Sequence, residues 1–306
     1  MMYLLKSIKF LIKSSLFYYS KLSAFLINSI ERLEYEILFF KKNEIKYPIS
    51  SKTKLVLQKD LFLTKLIIQD FEFEERYLVS KIISKKGIFI DIGANIGLYS
   101  LIAAETIKEN KIYAFEPTAS ILTKLQTNIK LNNYTNIDII NYAVSNFDYK
   151  KLLMYFNENG YDVFNSYQKS NKLQSYSKEV NTICLDTFIK NYNIKFNKIQ
   201  FIKIDVEGME LQVLEGAKNL IQHSTNTIYM IEFNHSFKIL NTNCCKVFQL
   251  LKENNYNLYK YIHHDKELKN IELFRKEITG NFFAIHQKNI TNIQSRLNKY
   301  KIKILN

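Results

Sequence analysis

Residues that cross-link a chain or turn it sharply are scarce in this sequence. Its 306 residues include no Trp, three Cys, two Pro and seven Gly. The cysteines are Cys184 and the adjacent pair Cys244 and Cys245, and no C-x-x-C spacing occurs. This pattern argues against a disulfide scaffold and a zinc ribbon, and it favours a reducing compartment. With 47% hydrophobic residues, the chain can still build a core, so it is not a disordered protein.

The chain also lacks a long uncharged apolar run. Lys9 and Lys13 interrupt the apolar segment near the start, which argues against a spanning helix of about 20 residues and against a signal peptide. We therefore expect a cytoplasmic protein. On a helical projection of residues 1–30, lysines share one face and apolar residues the other. Such a helix can pack on its own domain or on a second subunit, or make a peripheral contact with the inner membrane face.

The net charge of +14 is concentrated at the two ends of the chain. Residues 1–60 carry eleven basic and five acidic residues, and residues 291–306 carry four basic residues and no acid. We therefore divide the chain into a helical basic extension (1–60), a nearly balanced central domain (61–290) and a basic tail (291–306). A basic surface can bind nucleic acid or anionic lipid, but a Lys- and Asn-rich composition bias explains the excess equally well.

From about residue 81, short apolar runs alternate with segments of helical periodicity. The apolar runs are 88–92, 112–115, 137–140, 201–204 and 228–231, and the helical segments are 98–107, 121–131, 185–192 and 211–221. This alternation predicts an α/β fold with a doubly wound, mainly parallel sheet that is covered on both faces. Such sheets bind ligands beyond the carboxyl ends of their strands. Residues 157–180 lack apolar periodicity and are predicted to form a long loop.

The strongest motif is the glycine-rich segment 87–97, which reads GIFIDIGANIG. It holds three of the seven glycines of the chain. A strand that ends in Asp91, followed by Gly93, Asn95 and Gly97 before a helix, lets a ligand approach the backbone closely. The spacing is not that of the dinucleotide motif G-x-G-x-x-G, and a carboxylate here would repel a pyrophosphate. Asp91 therefore indicates a cationic or polyhydroxylated ligand, although a purely structural turn is the alternative.

An acid also ends the next apolar run, 25 residues after Asp91. In this architecture, an acid at the end of the second strand binds ribose hydroxyls. Glu116 fits that role as an acceptor for two vicinal hydroxyls, and Pro117 halts the strand behind it.

Two later strands also end in polar residues. Asp205 and Glu207 follow the run 201–204, and alternation along an extended strand would direct both to one side. They could serve as a general base and its orienting group, as partial ligands for Mg²⁺, or as acids that favour a helix N-terminus. After the next strand, His235 is a candidate base for a hydroxyl proton, with Glu232 to orient it or hold substrate, although a structural histidine is the alternative.

Together these motifs resemble the FkbM-type methyltransferases over roughly residues 70–290. The resemblance rests on short blocks in the expected order, namely FIDIGANIGLYS (89–100), AFEP (114–117), AVS (143–145), LD (185–186), KIDVEG (203–208) and LEG (214–216). It implies a seven-stranded Rossmann-like sheet, S-adenosylmethionine as cofactor, and O-methylation of a sugar or polyketide hydroxyl.

The resemblance also implies roles for individual residues. The cofactor's methionine and ribose would be surrounded by Asp91, Gly93, Asn95 and Gly97. Glu116 would hold the ribose hydroxyls, and the segment Tyr142–Ala143 would border the adenine. The side of the methyl acceptor would be formed by Asp205, Glu207 and His235. Residues 1–60 fall outside the family pattern.

We therefore predict an S-adenosylmethionine-dependent O-methyltransferase with no resident metal. Its expected acceptor is a small molecule or glycan, most plausibly a sugar hydroxyl of a surface glycan or its lipid-linked precursor. One alternative is an RNA or protein methyltransferase, but two distant prolines cannot form the Asn/Asp-Pro-Pro-aromatic turn of base methylation, so no nucleic-acid partner is expected. Two further alternatives are a membrane-surface protein with a vestigial cofactor fold and a nicotinamide dehydrogenase. Metal dependence and oligomeric state stay open.

Overall fold

Helices and strands alternate along most of the chain. In this computed structural model, the described residues are 7–9, 11, 21–59, 61–157, 175–233, 241–271 and 279–305. The helices are α1 (Lys21–Leu38), α2 (Phe62–Ile68), α3 (Phe73–Ile82), α4 (Leu98–Thr106), α5 (Ala119–Leu131), α6 (Leu185–Asn191), α7 (Glu210–Glu215), α8 (Lys218–His223), α9 (Asn241–Glu253) and α10 (Ile290–Asn298). The strands are β1 (Glu44–Pro48), β2 (Lys54–Gln58), β3 (Ile88–Ile92), β4 (Ile112–Phe115), β5 (Ile137–Ile140), β6 (Ala143–Val144), β7 (Lys151–Asn157), β8 (Ser175–Ile183), β9 (Ile199–Ile204), β10 (Ile228–Phe233), β11 (Tyr256–Ile262), β12 (Glu267–Asn270), β13 (Gly280–His286) and β14 (Lys303–Leu305).

Within the described part of the chain, nine strands form one sheet in the order β14-β12-β11-β13-β10-β9-β3-β4-β5. The five strands from β5 to β10 are parallel, and β13 runs antiparallel to both β10 and β11. These seven strands from β5 to β11 are the expected sheet, and β12 and β14 widen it at one edge. The predicted fold class is therefore confirmed.

The central strands are buried on both faces, which explains their continuous apolar runs. Every residue of β3 is buried. Phe89 faces one core with Phe201, whose ring stacks on it at 5.2 Å between centroids, whereas Ile88 and Ile90 face the other core. Helices α3, α4, α5 and α10 cover the first face, and α6 to α9 cover the second. The sheet is thus doubly wound, with its ligand-binding edge at the carboxyl ends of β3, β4, β9 and β10.

Two predicted elements differ from the structure. The loop expected over 157–180 ends earlier, because residues from Ser175 belong to β8, which pairs with β7; residues 158–174 lie outside the described part. The helix expected over 211–221 is divided into α7 and α8 at Gly216. A Cβ at Gly216 would lie 2.0 Å from the carbonyl oxygen of Ser145, so the backbone at Gly216 lies directly against the backbone at Ser145. The Asp186 carboxylate accepts the N–H groups of Asn219 and Leu220 at 2.8 and 3.0 Å, which begins a new helix.

The N-terminal extension is not wholly helical. Residues 44–58 form the hairpin β1–β2, which buries Leu55 and Leu57 and is tied to α5 by Asn128 Oδ1, the acceptor for the Val56 N–H at 2.7 Å. Of the predicted first helix, the described Lys9 is buried and lies 2.8 Å from Glu31 of α1. Residues 1–6, 10 and 12–20 lie outside the described part. No helix among the residues described is long and apolar enough to cross a membrane.

The C-terminal residues 291–305 are built into the domain rather than forming a separate tail. Ile293 and Leu297 of α10 are fully buried in the core that contains α3, and β14 pairs with β12 in parallel. The expectation of a tail came from the charge count. Ile290, Ile293 and Leu297 recur at helical spacing, however, so the four basic residues occupy only the remaining positions of an amphipathic segment.

We expect Ile293→Ala to lower the free energy of unfolding by about 2–5 kcal/mol, because it opens a cavity in the core. Ser295→Ala, at an exposed position of the same helix, is the matched control and should change it by less than about 0.5 kcal/mol. Urea-induced unfolding measures both variants. Equal, small effects would mean that α10 is not part of the cooperative unit.

Candidate active site

An open cavity lies at the carboxyl ends of the parallel strands and measures about 1170 Å³ when the solvent space at its mouth is included. Its walls come from the turns that follow β3, β4 and β9, from Glu232 near the end of β10, and from α2 with the turn that joins it to α3. The strand order reverses between β3 and β9. On one side lie β4 and β5, which follow β3 directly in the chain, and on the other side lie β9 and β10, which come later. The cavity therefore occupies the position where open α/β sheets bind their ligands.

The glycine-rich turn after β3 brings two strand ends into contact. The N–H groups of Gly93 and Ala94 both donate to the carbonyl oxygen of Phe115, at 3.1 and 2.9 Å. Gly93 has φ 78°, and a Cβ there would lie 1.9 Å from the carbonyl oxygen of Asp205. Only glycine permits this approach, which sets the wall between the two strands.

The other two members of this turn have different roles. Asn95 lines the cavity with φ 49°, and its buried Oδ1 has no hydrogen-bond partner in the described residues. Gly97 precedes α4 with φ 94°, and a Cβ there would meet Leu125 Cδ1 at 2.5 Å. Gly97 thus allows the helix to pack closely, and it does not line the cavity.

Glu116 forms a polar floor at one end of the cavity. It is 5% exposed, and its two carboxylate oxygens accept the N–H groups of Asn95 and Thr118 at 3.1 and 2.9 Å. Burial raises the pKa of Glu116 to about 7, against the effect of these hydrogen bonds. Each oxygen keeps a lone pair, so the carboxylate can accept a vicinal diol. The neighbouring wall is mainly apolar and is lined by Pro117, Ile121, Tyr142, Ala143, Val144 and Met154.

The other end of the cavity is rich in carboxylates around one ammonium group. Lys203 Nζ lies 2.8 Å from Asp205 Oδ2 and 5.1 Å from the ring centroid of Tyr99. Only 5% of the Lys203 side chain is exposed, against 27% for Asp205. Burial disfavours the charge of Lys203, but the carboxylates of Asp205, Asp91 and Glu72 outweigh it and raise the pKa of Lys203. The ammonium group therefore stays charged and holds Asp205 in place.

Two glutamates complete this end of the cavity. Glu232 is the last but one residue of β10, and the charge of Asp205 together with burial raises the pKa of Glu232. Glu72 precedes α3, and its Oε1 accepts a hydrogen bond from Asn281 Nδ2. Burial raises the pKa of Glu72, whereas the charge of Lys203 opposes that shift. The four carboxyl groups of Asp205, Asp91, Glu72 and Glu232 thus outnumber the single ammonium group of Lys203. Burial raises the pKa of Asp91, Glu72 and Glu232, and a cation bound beside them would favour their charged forms.

Asp91 lies beneath the cavity and does not line it. It pairs in register with Lys203 on the neighbouring strand, is 1% exposed, and accepts a hydrogen bond from Ser100 Oγ at 2.6 Å through Oδ2. Its Oδ1 has no hydrogen-bond partner in the described residues. Burial raises the pKa of Asp91, and the charge of Lys203 opposes this. Asp91 therefore acts on the cavity through Lys203.

The structure brings together most of the residues proposed from sequence. The cavity is lined by Gly93, Asn95, Glu116, Ala143, Asp205 and Glu207. His235 lies outside the described residues. Sequence reasoning missed Tyr99 and Glu72, which line the acidic end. Tyr99 reads as a core residue of an apolar helix, and Glu72 belongs to an acidic run typical of a helix start, so neither carries a local signal of function.

No three or more His, Cys, Asp or Glu side chains are arranged to hold a metal ion, as far as the described residues go. The acidic end is instead organised by Lys203. Its side chains can form hydrogen bonds, compensate charge and transfer protons.

The strand order and the cavity at the switch point define a Rossmann-like α/β fold. Residues 91–258, more than half of the chain, match the family model of the Methyltransferase FkbM domain. The chain belongs to the FkbM methyltransferase family, as its motifs predict.

A curated relative is Methyltransferase 1 of Beauveria bassiana (strain ARSEF 2860), which is 23% identical over 141 residues. The match covers 42% of this chain and 57% of that protein, so the chain spans little more than half the length of this relative.

Several solved structures are similar at low sequence identity. Precorrin-6y C5,15-methyltransferase from Geobacter metallireducens is 11% identical, with a TM-score of 0.42 over 79% of this chain and 100% of that chain. TYW2 from M. jannaschii, in complex with AdoMet, is 14% identical, with a TM-score of 0.39 over 79% and 83%. An rRNA methylase from Streptococcus thermophilus is 12% identical, with a TM-score of 0.38 over 69% and 91%. These TM-scores are all below 0.5, and the fold class rests on the strand order of the sheet.

The raised pKa of Glu116 predicts a measurable pH effect on stability. The folded protein binds this proton more tightly (pKa about 7) than the unfolded chain does (4.5), so the free energy of unfolding falls as pH rises between these values. We expect wild type to lose about 2–4 kcal/mol more than Glu116→Gln over that window, as measured by urea-induced unfolding. Glu109→Gln, at an exposed surface position, should keep the wild-type profile. Parallel profiles for Glu116→Gln and wild type would contradict the assignment.

Proposed function

We propose that this chain is an S-adenosylmethionine-dependent O-methyltransferase that methylates a sugar hydroxyl in a cell-surface glycan or in its lipid-linked precursor. The observation that carries the proposal is the polarity of one cavity. A buried carboxylate suited to a diol lies at one end, and a surplus of carboxylates lies at the other. A nucleoside that carries a positive charge fits this distribution.

The residues present fit the cofactor from end to end. Glu116 accepts the two ribose hydroxyls, and the apolar wall that contains Tyr142 and Ala143 borders the adenine. The unpartnered Oδ1 of Asn95 offers an acceptor to a donor group of the cofactor. Toward the acidic end, carboxylates outnumber cations, which favours a sulfonium over a neutral thioether. This preference stabilises bound cofactor more than product.

When bound, S-adenosylmethionine supplies an electrophilic methyl group on a sulfonium, which is a good leaving group. The protein must align the acceptor hydroxyl and remove its proton. Asp205 is placed for the proton, because it lines the cavity and its carboxylate is oriented by Lys203 at 2.8 Å. With the cofactor bound, the sulfonium would supply the methyl group and leave as a thioether, and Asp205 would accept the proton of the acceptor hydroxyl.

Two further residues of the acceptor side keep the roles predicted for them. Glu207 lines the cavity with φ 52°, directed there by the turn at Gly208, and is proposed to bind acceptor. His235 follows β10 by two residues and stays a candidate second base from its position in the sequence.

The acceptor class rests on the family resemblance and on the chemistry of this end. Carboxylates bind hydroxyl donors well, and the neighbouring wall of Phe62, Leu63, Leu66 and Phe71 offers apolar surface to the carbon–hydrogen face of a sugar ring. Transfer of a radiolabelled methyl group from S-adenosylmethionine to a panel of cell-envelope glycans tests the proposal. If the protein binds the cofactor but transfers the methyl group to RNA or protein and to no glycan, the acceptor is RNA or protein and the proposed glycan acceptor is wrong.

Glu116→Ala should weaken S-adenosylmethionine binding by at least about 30-fold, because two hydrogen bonds to a charged group are lost. Isothermal titration calorimetry measures the affinity, with Glu109→Ala as an exposed control. Circular dichroism confirms that each variant is folded. Unchanged affinity in a folded Glu116→Ala protein would remove the ribose role.

Asp205→Asn should slow methyl transfer by about 100-fold or more while changing cofactor affinity much less, because a general base contributes about 10²–10⁴ in rate. Single-turnover transfer from prebound radiolabelled cofactor isolates the chemical step, and calorimetry gives the affinity. The exposed Asp138→Asn is the matched control. A variant with a wild-type single-turnover rate would show that another group takes the proton.

A further inference from the structure

The turn before α3 is strained and directs a carboxylate into the cavity. Glu72 has φ 49° and ψ 33°, a left-handed conformation that costs a residue with a Cβ about 1–2 kcal/mol. Three such residues line the same cavity, namely Glu72, Asn95 and Glu207. Strained positions persist where the surrounding structure fixes them, and they cluster at functional sites. Glu72 lies outside residues 91–258, the segment that matches the family model.

A buried amide fixes the direction of Glu72. Asn281, which is 5% exposed, donates through Nδ2 to Glu72 Oε1 and pairs across the sheet with Glu232. Its Oδ1 has no hydrogen-bond partner in the described residues. Because the amide oxygen and nitrogen share one carbon, this acceptor stays beside Glu72. A buried acceptor without a donor points to a ligand or water that supplies one.

The polar groups at this end favour one kind of ligand chemistry. The acceptors that line the cavity at this end come from three elements, namely Glu72 before α3, Asp205 after β9 and Glu232 of β10; Asn281 of β13 is bonded to Glu72 but does not itself line the cavity. The ammonium of Lys203 is engaged with Asp205, and Arg76 of α3 interacts with Glu72. An acidic group at this end would meet like charges, whereas a hydroxyl would find acceptors without adding charge.

We propose that Glu72 is an acceptor-binding residue whose carboxylate accepts a hydrogen bond from a second hydroxyl, next to the hydroxyl that is methylated. The inference rests on the proposed function, because the adenosine end of the cavity must be the end that contains Glu116. It adds that the enzyme distinguishes a diol from a lone alcohol. The family-matched segment supplies the cofactor site, and the turn before α3 supplies the selection of the acceptor.

The test uses three substitutions at position 72 and one control. Glu72→Gln and Glu72→Ala remove the charge, and Glu72→Gly removes the side chain while relieving the left-handed strain, which guards against misfolding. Glu74→Gln, on the exposed first turn of α3, is the control. The probes are methyl hexopyranosides and their monodeoxy counterparts, with S-adenosylhomocysteine formation as the readout and calorimetry for cofactor affinity.

We expect the three variants to weaken S-adenosylmethionine binding by less than about 5-fold, because Asp205 and Glu232 remain at the acidic end, and to lose about 10- to 100-fold in kcat/KM for the best glycoside. With the deoxy counterpart that lacks the neighbouring hydroxyl, wild type should fall to the level of the variants, so that the two losses do not add. Glu74→Gln should behave as wild type.

Four results would overturn the inference, and a different one would overturn the proposed function. Variants that keep wild-type kcat/KM, or losses that add fully with the deoxy probe, would show that Glu72 does not contact a hydroxyl. Variants that bind S-adenosylmethionine weakly but S-adenosylhomocysteine normally would place Glu72 against the sulfonium instead. Bound cofactor without methylation of any glycoside would exclude a diol acceptor. Failure of wild type to bind S-adenosylmethionine would remove the proposed function itself.

Discussion

The acidic end of the cavity depends on one buried ammonium group. Lys203 is almost wholly enclosed and is surrounded by carboxylates from the turn before α3 and from strands β3 and β9. Without this charge, Asp91 would keep only its hydrogen bond to Ser100, and Asp205 would lose its ion-pair partner. Removing one member of a buried ion pair costs about 3–5 kcal/mol, because the other charge is left without compensation. Lys203 thus serves the fold and orients the proposed base.

Backbone contacts between strand ends give the cavity its shape. Gly93 lets the turn after β3 touch the carbonyl oxygen of Asp205, so the cofactor side and the acceptor side share one wall. Glu116 then joins this turn to the end of β4 through the N–H groups of Asn95 and Thr118. The distance between the two proposed ligands is therefore determined by main-chain geometry, which side-chain substitutions alter little.

The sequence predicts the central sheet well, because strands buried on both faces read as continuous apolar runs; β3, β4 and β5 begin and end at the predicted residues. Residues at the strand ends, such as Glu116 and Asp205, follow from the same logic. Glu72 and Tyr99 could not be predicted, because tertiary packing brings them to the cavity from helices and turns. The break at Gly216 was missed for a similar reason, because its contact with Ser145 is distant in the chain. The apolar spacing of α10 is local, but the charge of residues 291–306 concealed it.

The widened sheet ends on β14, a three-residue strand whose outer side has no neighbour among the described residues. An open edge of this kind is a template for unwanted pairing with another chain, and proteins commonly guard such edges with short strands and lysines. Lys301 and Lys303 are exposed on or beside this strand. The positive charge at the end of the chain therefore has a use that requires neither nucleic acid nor lipid: it discourages self-association of the sheet.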